Sequence, residues 1–199
     1  MTPKLPLPFT GAQGTISEKS LSIHHDKLYA GYVDKKDETQ SKLASLTADQ
    51  LSAANQSFSE LRALKDGETF ATNGAYLHEW YFENLGGDGK PAGSASEALA
   101  QAFGSLDGFL ARFAACGMAA RGWVVLAWDT HDKALRIYTG DAHNQGGVWG
   151  AIPLLVMDVY EHAYFMDFGS DRKAYIADFL SHVNWPVVEK RFISATSSS

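Results

Sequence analysis

Cysteine is almost absent from this sequence, since Cys116 is the only one among its 199 residues. A single cysteine excludes an internal disulfide framework and a cysteine-rich metal cluster. Any metal bound by this chain must therefore rely on histidine, aspartate and glutamate. Cys116 itself stands in an alanine-rich apolar stretch, which favours a buried packing residue over a nucleophile.

Long apolar runs and an excess of positive charge are also absent. No run approaches the ~20 apolar residues that cross a bilayer, and the first residues, MTPKLPLPFTGAQGT, lack the apolar core of a signal peptide. We therefore expect a cytoplasmic protein with no membrane partner. The formal net charge of −6 argues against nucleic acid as a partner, although a small anionic substrate could still enter a locally positive cleft.

The first half of the chain has the sequence pattern of helices. Residues 15–18 resemble a capping box, and the residues after them recur on one helical face at spacings of three and four: Leu21, His24, Leu28 and Tyr32. Residues 47–50 repeat the capping signal before a second helix that is expected to run toward Lys65. Asp66-Gly67 predicts a break, and a third helix through 76–85 is expected to stop at Gly86-Gly87.

The second half of the chain mixes helical and strand patterns. Two helices are predicted first, one from a capping signal at 94–97 and one at 106–115. Apolar, β-rich stretches at 123–128 and 135–139 flank a polar turn, which predicts a hairpin, and 153–158 predicts a third, fully buried strand because its apolar residues do not alternate with polar ones. Helices are expected at 172–182 and 187–192, followed by a frayed tail at 197–199.

The order of these elements predicts an α+β protein of two domains. Composition changes across the glycine-rich residues 86–93, so we place the boundary there, with one domain at 1–88 and the other at 89–199. The first domain is expected to be a long helical hairpin. The second is expected to be an α+β domain with a small three-stranded antiparallel sheet.

Seven histidines are the candidates for metal chemistry: His24, His25, His78, His131, His143, His162 and His182. His131 falls in the predicted hairpin turn and His182 on a C-terminal helix, so both are interpreted as structural. His24 and His25 point about 100° apart on a helix, so at most one of them faces a shared site. His24 is the better candidate because it shares a face with Leu28 and Tyr32, and His78 stands among aromatic residues that would keep a site dry.

The stretch DVYEH at 158–162 places Asp158 at the end of the predicted buried strand and His162 four residues later. A buried carboxylate needs a partner. Three neutral imidazoles and one carboxylate suit zinc, iron or manganese, but a simple hydrogen bond between Asp158 and His162 would satisfy the carboxylate as well. The spacing leaves both interpretations open.

Beyond these local patterns, the chain resembles the iron/manganese superoxide dismutases over nearly its whole length. The resemblance rests on five segments: IHHDKLYAGYV (23–33), LHEWYFENL (77–85), RGWVVL (121–126), PLLVMDVYEHAYFMDF (153–168) and VNWPVVEKRF (183–192). It implies an antioxidant enzyme that converts superoxide to dioxygen and hydrogen peroxide by redox cycling of one iron or manganese ion per subunit. The four ligands implied are His24, His78, Asp158 and His162.

The resemblance also assigns residues around the ion. Tyr32 would stand at the mouth of the substrate funnel, and Trp123 would form an aromatic wall. Glu161 would reach across a dimer interface to the partner subunit's His162, which implies a homodimer, with a tetramer as the alternative. Lys27 and Arg172 are candidates for steering the superoxide anion, against the simpler interpretation that both are solvated surface charges.

Several positions depart from the family pattern. Leu28 stands where a histidine often links the funnel to a tyrosine of the neighbouring subunit, here Tyr164, and three further departures are Leu77, Val125 and Tyr160. Gly74 stands where iron-type members often carry the glutamine that donates to the solvent ligand. The donor is then expected from 141–145, where His143 aligns without a gap and Gln145 requires one, so we prefer His143.

The same ligands leave two other functions to consider. A zinc hydrolase would use them without redox chemistry, but it needs a positioned general base, and Glu161 is the one clear candidate. A structural paralogue would keep the fold and lose ligands, whereas all four ligand positions are present. The sequence leaves the choice between iron and manganese open.

Overall fold

The N-terminal part of the chain is helical, as its apolar spacing predicts. The computed structural model describes residues 1–197, so Ser198 and Ser199 of the predicted frayed tail lie outside the described residues. The helical elements are α1 (Glu18–Ile23), a π-helical segment (His24–Tyr29), α2 (Ala30–Ala44), α3 (Ala48–Ser52) and α4 (Glu60–Glu83). The two long helices, α2 and α4, pack against each other, which confirms the predicted hairpin.

The ends of the first helices differ in part from the predicted ones. Ser17, and not Thr15, caps α1, because Ser17 has the extended backbone and its side chain accepts a hydrogen bond from the Ser20 N–H. The capping box at Thr47 and Gln50 is confirmed in both directions. The helix that it opens, α3, ends at Ser52 and does not reach Lys65.

The predicted break at Asp66-Gly67 is wrong, because α4 passes through both residues without interruption. A glycine inside a helix costs only about 1 kcal/mol relative to alanine, and the packing of α4 against α2 outweighs that cost. The helix starts instead at Glu60, where the Ser59 side chain accepts from the Arg62 N–H. One continuous helix therefore replaces the predicted third helix and the end of the second.

The C-terminal part contains the predicted sheet and five further helices among the described residues. Its elements are α5 (Gly93–Phe103), α6 (Leu106–Ala119), β1 (Trp123–Asp129), β2 (Ala134–Gly140), β3 (Ala151–Asp158), a 3-10 turn (Glu161–Ala163), α7 (Phe165–Phe168), α8 (Arg172–Ser181) and α9 (Trp185–Ser197). The strand order is β2-β1-β3, with both pairings antiparallel, which confirms the α+β fold class. Ser197 belongs to α9 and is not part of a frayed tail.

The sheet register brings three chain segments to one end of the sheet. Trp123, the first residue of β1, pairs with Gly140, the last residue of β2, and with Asp158, the last residue of β3. The loop that follows Gly140 therefore begins at the same end of the sheet as Asp158, with Trp123 between them. Helix α4 packs on β3, and its residue His78 lies close to Asp158 at this end of the sheet.

Contacts far apart in sequence fix the remaining elements around this core. The α5 N-terminus is capped by Glu189 of α9, whose carboxylate accepts from the Ser94 and Ala95 N–H groups, and not by the predicted local signal. The side-chain oxygen of buried Asn84 accepts from the Val156 N–H at the edge of β3. Cys116 is half-buried against the core, and burial raises the pKa of its thiol.

Two further expectations from the sequence concern the domain boundary and the absence of a membrane-spanning segment. The domain boundary after residue 88 falls in the segment between α4 and α5 and stays a prediction. Among residues 1–197, no helix combines the length and apolar character needed to cross a membrane.

Candidate metal centre

His24 enters the site from the π-helical segment, and its neighbour His25 turns away. The ring of His24 is buried, with its centroid 5.1 Å from that of Phe82 and 5.3 Å from that of Tyr81 on α4. The two ring nitrogens of His25 lie instead 2.8 Å from the Leu5 carbonyl oxygen and 2.7 Å from the Asp26 carboxylate. A short π-helical segment is a frequent feature of functional sites, and here it carries the first candidate ligand.

His78 is held by its own helix. Its Nδ1 lies 2.5 Å from the carbonyl oxygen of Gly74, four residues earlier on α4. Since a carbonyl can only accept, Nδ1 carries the proton in the neutral ring and Nε2 keeps its lone pair. The helix therefore fixes both the tautomer and the direction of this imidazole.

Asp158 and His162 enter from the other side, after β3. Asp158 is fully buried, and its Oδ1 accepts from the Tyr160 N–H at 2.9 Å. The hydroxyl of Tyr175 donates to the Asp158 carbonyl oxygen at 2.6 Å. These bonds leave Oδ2 directed toward the histidines, and the 3-10 turn brings His162, the exposed member of the group, back over it.

The four side chains converge on one point. Asp158 Oδ2 lies 3.1 Å from His162 Nε2, 3.2 Å from His24 Nε2 and 3.7 Å from His78 Nε2. One candidate ligand atom from each residue lies within 4.8 Å of all the others. Ligands about 2.1 Å from a shared ion lie roughly 3.0–3.4 Å apart when the angle between them is 90–110°, so two of the three distances from Asp158 are those of neighbours on one ion.

Two buried nitrogen atoms without hydrogen-bond partners provide further support for a bound ion. The Nε2 atoms of His24 and His78 are buried without a hydrogen-bond partner, which is costly for polar atoms inside a protein. A divalent or trivalent ion between these nitrogens and Asp158 would satisfy both lone pairs at once. Three imidazoles and one carboxylate match the preferences of iron, manganese and zinc.

The electrostatics keep the group ready to bind a cation. Burial lowers the pKa of His24, and although Asp158 opposes this, the ring stays neutral. Burial and the neighbouring His24 lower the pKa of His78 to about 3. Burial alone would raise the pKa of Asp158, but the hydrogen bond to His162 and the electrostatic attraction of the His162 and His24 rings outweigh burial and hold this pKa below its usual range. The site thus holds a carboxylate beside the neutral rings of His24 and His78, which are the forms that bind metal.

The metal-free protein is expected to lose stability as the pH falls from about 6.5. In the unfolded chain histidine titrates near 6.5, whereas folded His78 titrates near 3, so between these values the unfolded chain binds more protons and the free energy of unfolding falls with falling pH. His162, whose pKa is raised by Asp158 in spite of burial, reduces this slope. Chemical denaturation of the metal-free protein from pH 7 to pH 4.5 measures it.

The variant His78→Gln is the control for this pH dependence. Glutamine keeps much of the volume and cannot titrate, so the stability of the variant should depend less steeply on pH than that of the wild type. Equal slopes in the two proteins would contradict the assignment of this acid sensitivity to His78.

A ring of aromatic side chains surrounds the four residues. Tyr32 stacks on His78 with a centroid distance of 5.3 Å and meets His143 edge-on at 4.6 Å. Trp123 Nε1–H donates to His143 Nδ1 at 2.9 Å, and this pair is buried. Nδ1 of His143 is therefore an acceptor, which places the proton of the neutral ring on Nε2. Burial lowers the pKa of His143 to about 4, so the ring is neutral near pH 7.

Other candidate residues from the sequence lie outside this ring. Gln145 is exposed, so the structure brings His143 and not Gln145 into contact with the site. Glu161 is exposed beside His162, and Lys27 is exposed on the π-helical segment. Arg172 is half-buried and donates to the Ala120 carbonyl oxygen at 2.8 Å and to the Tyr164 hydroxyl at 3.1 Å.

The sequence analysis missed Phe70 and the way in which Gly74 accommodates Tyr32. Phe70 packs its ring 4.5 Å from that of His143 and 6.0 Å from that of Tyr32, and its place two turns before His78 on one helix is the signal that could have found it. Gly74 makes room for Tyr32, because a Cβ at this position would stand 2.6 Å from Tyr32 Cδ1. No local pattern marks that contact.

Comparison with known proteins gives consistent results over nearly the whole chain. Residues 1–86 match the profile described as iron/manganese superoxide dismutases, alpha-hairpin domain, and residues 91–191 match the C-terminal domain of the same group. Superoxide dismutase [Fe] of Aquifex pyrophilus is 41% identical over 182 residues, covering 90% of this chain and 85% of that protein. Superoxide dismutase [Mn] 1 of Halobacterium salinarum is 35% identical over 198 residues, covering 97% and 94%.

Proposed function

The chain belongs to the iron/manganese superoxide dismutase family, and we propose that His24, His78, Asp158 and His162 hold its one iron or manganese ion. The reaction converts two superoxide anions and two protons to dioxygen and hydrogen peroxide. The observation that carries the ligand assignment is the convergence of three Nε2 atoms on Asp158 Oδ2, with two of those nitrogens buried and unpartnered.

Separate reconstitution with iron, manganese and zinc tests this function. We expect superoxide consumption with iron or manganese and none with zinc, because the zinc ion does not change oxidation state. The variant His24→Gln should bind less metal, whereas His131→Gln, which removes an exposed histidine of the β1–β2 turn, should behave as the wild type. Zinc binding without superoxide consumption by the iron or manganese form would contradict the proposal.

When bound, the ion supplies one-electron redox chemistry, and the residues around it set the conditions for that chemistry. Asp158 provides the single anionic ligand, and its charge favours the higher oxidation state. Tyr160 stacks on His162 with a centroid distance of 5.3 Å, and together with Tyr32, Phe70 and Trp123 it limits the access of water to the site. His143, held by Trp123, presents a proton on Nε2 as the hydrogen-bond donor of the site. The distance and direction of this Nε2–H group relative to the ion influence which oxidation state of the ion is favoured.

Tyr32 is proposed to supply a proton from its hydroxyl. Burial and the charge of Asp158 raise the pKa of Tyr32, so the phenol keeps its proton at neutral pH. Tyr32→Phe removes this proton and leaves the ring stacked on His78. We expect slower peroxide release at normal metal content, measured by stopped-flow kinetics. Release as fast as in the wild type would remove Tyr32 from the proton path.

Trp123 is proposed to hold His143 in its donor form. Trp123→Phe removes the Nε1–H, so the proton of His143 is no longer restricted to Nε2 and the buried Nδ1 loses its partner. We expect turnover per bound metal to fall by about tenfold, the lower end of the effects seen for groups that orient metal ligands.

The control for the Trp123 variant is Trp149→Phe, which alters an indole that is 94% exposed. Turnover per bound metal should be unchanged in this control. Wild-type turnover in the Trp123 variant, at equal metal content, would show that the hydrogen bond to His143 does not matter for catalysis.

We also propose a homodimer in which Glu161 orients the partner subunit's His162. Both residues are exposed next to each other in the single chain, and the apolar side chains of Phe165 and Met166, 55% and 51% exposed, lie close by in sequence. Sedimentation equilibrium measures the assembly, and Glu161→Ala should weaken it. A wild-type protein that stays monomeric at micromolar concentration would refute this part of the proposal, and a tetramer would extend it.

Finally, we propose that the enzyme acts as an antioxidant in the cytoplasm. The single cysteine supports this location, because the fold needs no oxidising compartment to form disulfides. Subcellular fractionation tests it, and recovery of the protein outside the cytoplasmic fraction would contradict it.

A further inference from the structure

The side chain of Asn144 fastens the loop that carries His143 to helix α4. Asn144 Nδ2 donates to Asp66 Oδ1 at 3.0 Å, and the Thr69 hydroxyl and the Asp66 carbonyl oxygen lie 3.3 Å and 3.4 Å from the same nitrogen. We call this group of three residues the Asn144 clasp. It joins the loop after β2 to the helix that carries His78.

Two residues of the clasp are each adjacent in sequence to an aromatic residue of the site. His143 precedes Asn144, Phe70 follows Thr69, and the rings of His143 and Phe70 are 4.5 Å apart. Loss of the clasp would therefore free His143 to move relative to Phe70 and to Tyr32, whose ring centroid is 4.6 Å from that of His143.

The beginning of the same loop, at Asp141, is held by segments next to β1 and β3. The Tyr160 hydroxyl donates to the Asp141 carbonyl oxygen at 3.3 Å, and the Arg121 N–H donates to Asp141 Oδ1 at 3.2 Å. Asp141 thus anchors the loop to the segments that precede β1 and follow β3, and Asn144 anchors it to α4. His143 stands between the two anchors.

We propose that Asn144 is a positioning residue, whose clasp to Asp66 and Thr69 sets the direction of His143 Nε2 toward the four metal ligands. This inference rests on the donor role proposed for His143. Asp66 and Thr69 are exposed, and hydrogen bonds at an exposed surface add little to stability. The expected consequence of losing the clasp is therefore a misplaced His143 in a protein that still folds, and a small displacement is enough to slow catalysis.

The variant Asn144→Ala tests the clasp. Turnover per bound metal should fall by about tenfold, and the visible absorption spectrum of the iron-loaded protein should shift because the donor beside the ion has moved. Metal content should stay normal, and the thermal midpoint should change by no more than about 2 °C. The matched control is Gln50→Ala, which removes an exposed amide–carboxylate bond of 2.6 Å to Glu60 at the start of α4, together with the capping-box bond to Thr47. This control should leave turnover and spectrum unchanged.

An exchange of the two side chains provides a rescue. The double variant Asp66→Asn with Asn144→Asp reverses the amide–carboxylate pair without changing the net charge. It should bring turnover to within about twofold of the wild type and restore the absorption spectrum, because either direction of the bond fixes the loop. A purely structural defect at position 144 would not be repaired in this way.

The outcomes separate the clasp from the function on which it rests. Asn144→Ala with wild-type turnover and spectrum would overturn the proposal, and so would an exchange variant no better than Asn144→Ala. The variant His143→Leu distinguishes a failure of the clasp from a failure of the donor role proposed for His143. If His143→Leu leaves the spectrum and turnover unchanged, the donor role itself fails and the clasp fails with it. If His143→Leu alters both while Asn144→Ala alters neither, the clasp alone is wrong.

Discussion

Replacing Asp158 by asparagine should lower the affinity for iron and manganese by at least about a hundredfold and abolish superoxide consumption. Changes to groups that merely orient ligands cost 10–100-fold, and this change removes the one anionic ligand. The Oδ2 atom of Asp158 is also the point on which the three histidines converge. An amide in its place offers no charge to the ion and only a weak acceptor oxygen.

Metal analysis after dialysis against a chelator measures the effect, with activity as the second readout. The matched control is Asp129→Asn, which alters a carboxylate at the opposite end of the sheet. There Asp129 accepts a hydrogen bond from the Tyr138 hydroxyl at 2.8 Å. That variant should keep its metal. Retention of metal by the Asp158 variant through the same dialysis would mean that the ion is held elsewhere.

Removal of the ion from the wild-type protein should lower its thermal midpoint by about 8–16 °C. At a free metal concentration a thousandfold above the dissociation constant, binding adds about 4 kcal/mol to the folded state. For a chain of this length, each kcal/mol corresponds to about 2–4 °C. The buried Nε2 atoms of His24 and His78, which lack a partner without the ion, are the source of part of this loss.

Calorimetry of the metal-free and reconstituted forms checks the shift. The Asp158→Asn variant provides the control, because a protein that cannot bind the ion should melt at the same temperature with and without added metal. Equal midpoints for the two wild-type forms would show that the ion adds nothing to the stability of the folded chain.

The local sequence predicted half of the site and left the other half to tertiary structure. Asp158 and His162 lie four residues apart, and their atoms do come within 3.1 Å, the very contact that also fits a plain hydrogen bond. His24 and His78 decide between the two interpretations, but they stand far away in sequence. They meet Asp158 because α4 packs both on the first helices and on β3, and a local pattern cannot encode that packing. The resemblance to a known family supplied these partners instead.

The errors in the predicted fold have a common physical cause. Asp66-Gly67 reads as a break because glycine and aspartate are poor helix formers, yet packing against α2 holds the helix together through both. The residues at the start of α5 predict a local capping box, yet the carboxylate of Glu189 on α9 caps this helix. The contact between Asn144 and Asp66 likewise joins residues that are far apart in sequence. Interactions between distant segments decide each case, whereas helix and strand periodicity predicts the elements correctly where the core imposes it.

Gly74 has a consequence for how this enzyme can change over evolutionary time. Its carbonyl oxygen fixes His78, and its missing side chain admits the ring of Tyr32, whose Cδ1 and Cγ would stand 2.6 Å and 2.8 Å from any added Cβ. Mutations at positions 74 and 32 are therefore epistatic, since a side chain at 74 is tolerated only after the ring at 32 has moved or shrunk. A lineage that starts from this sequence can more readily explore new hydrogen-bond donors on the loop after β2 than on α4.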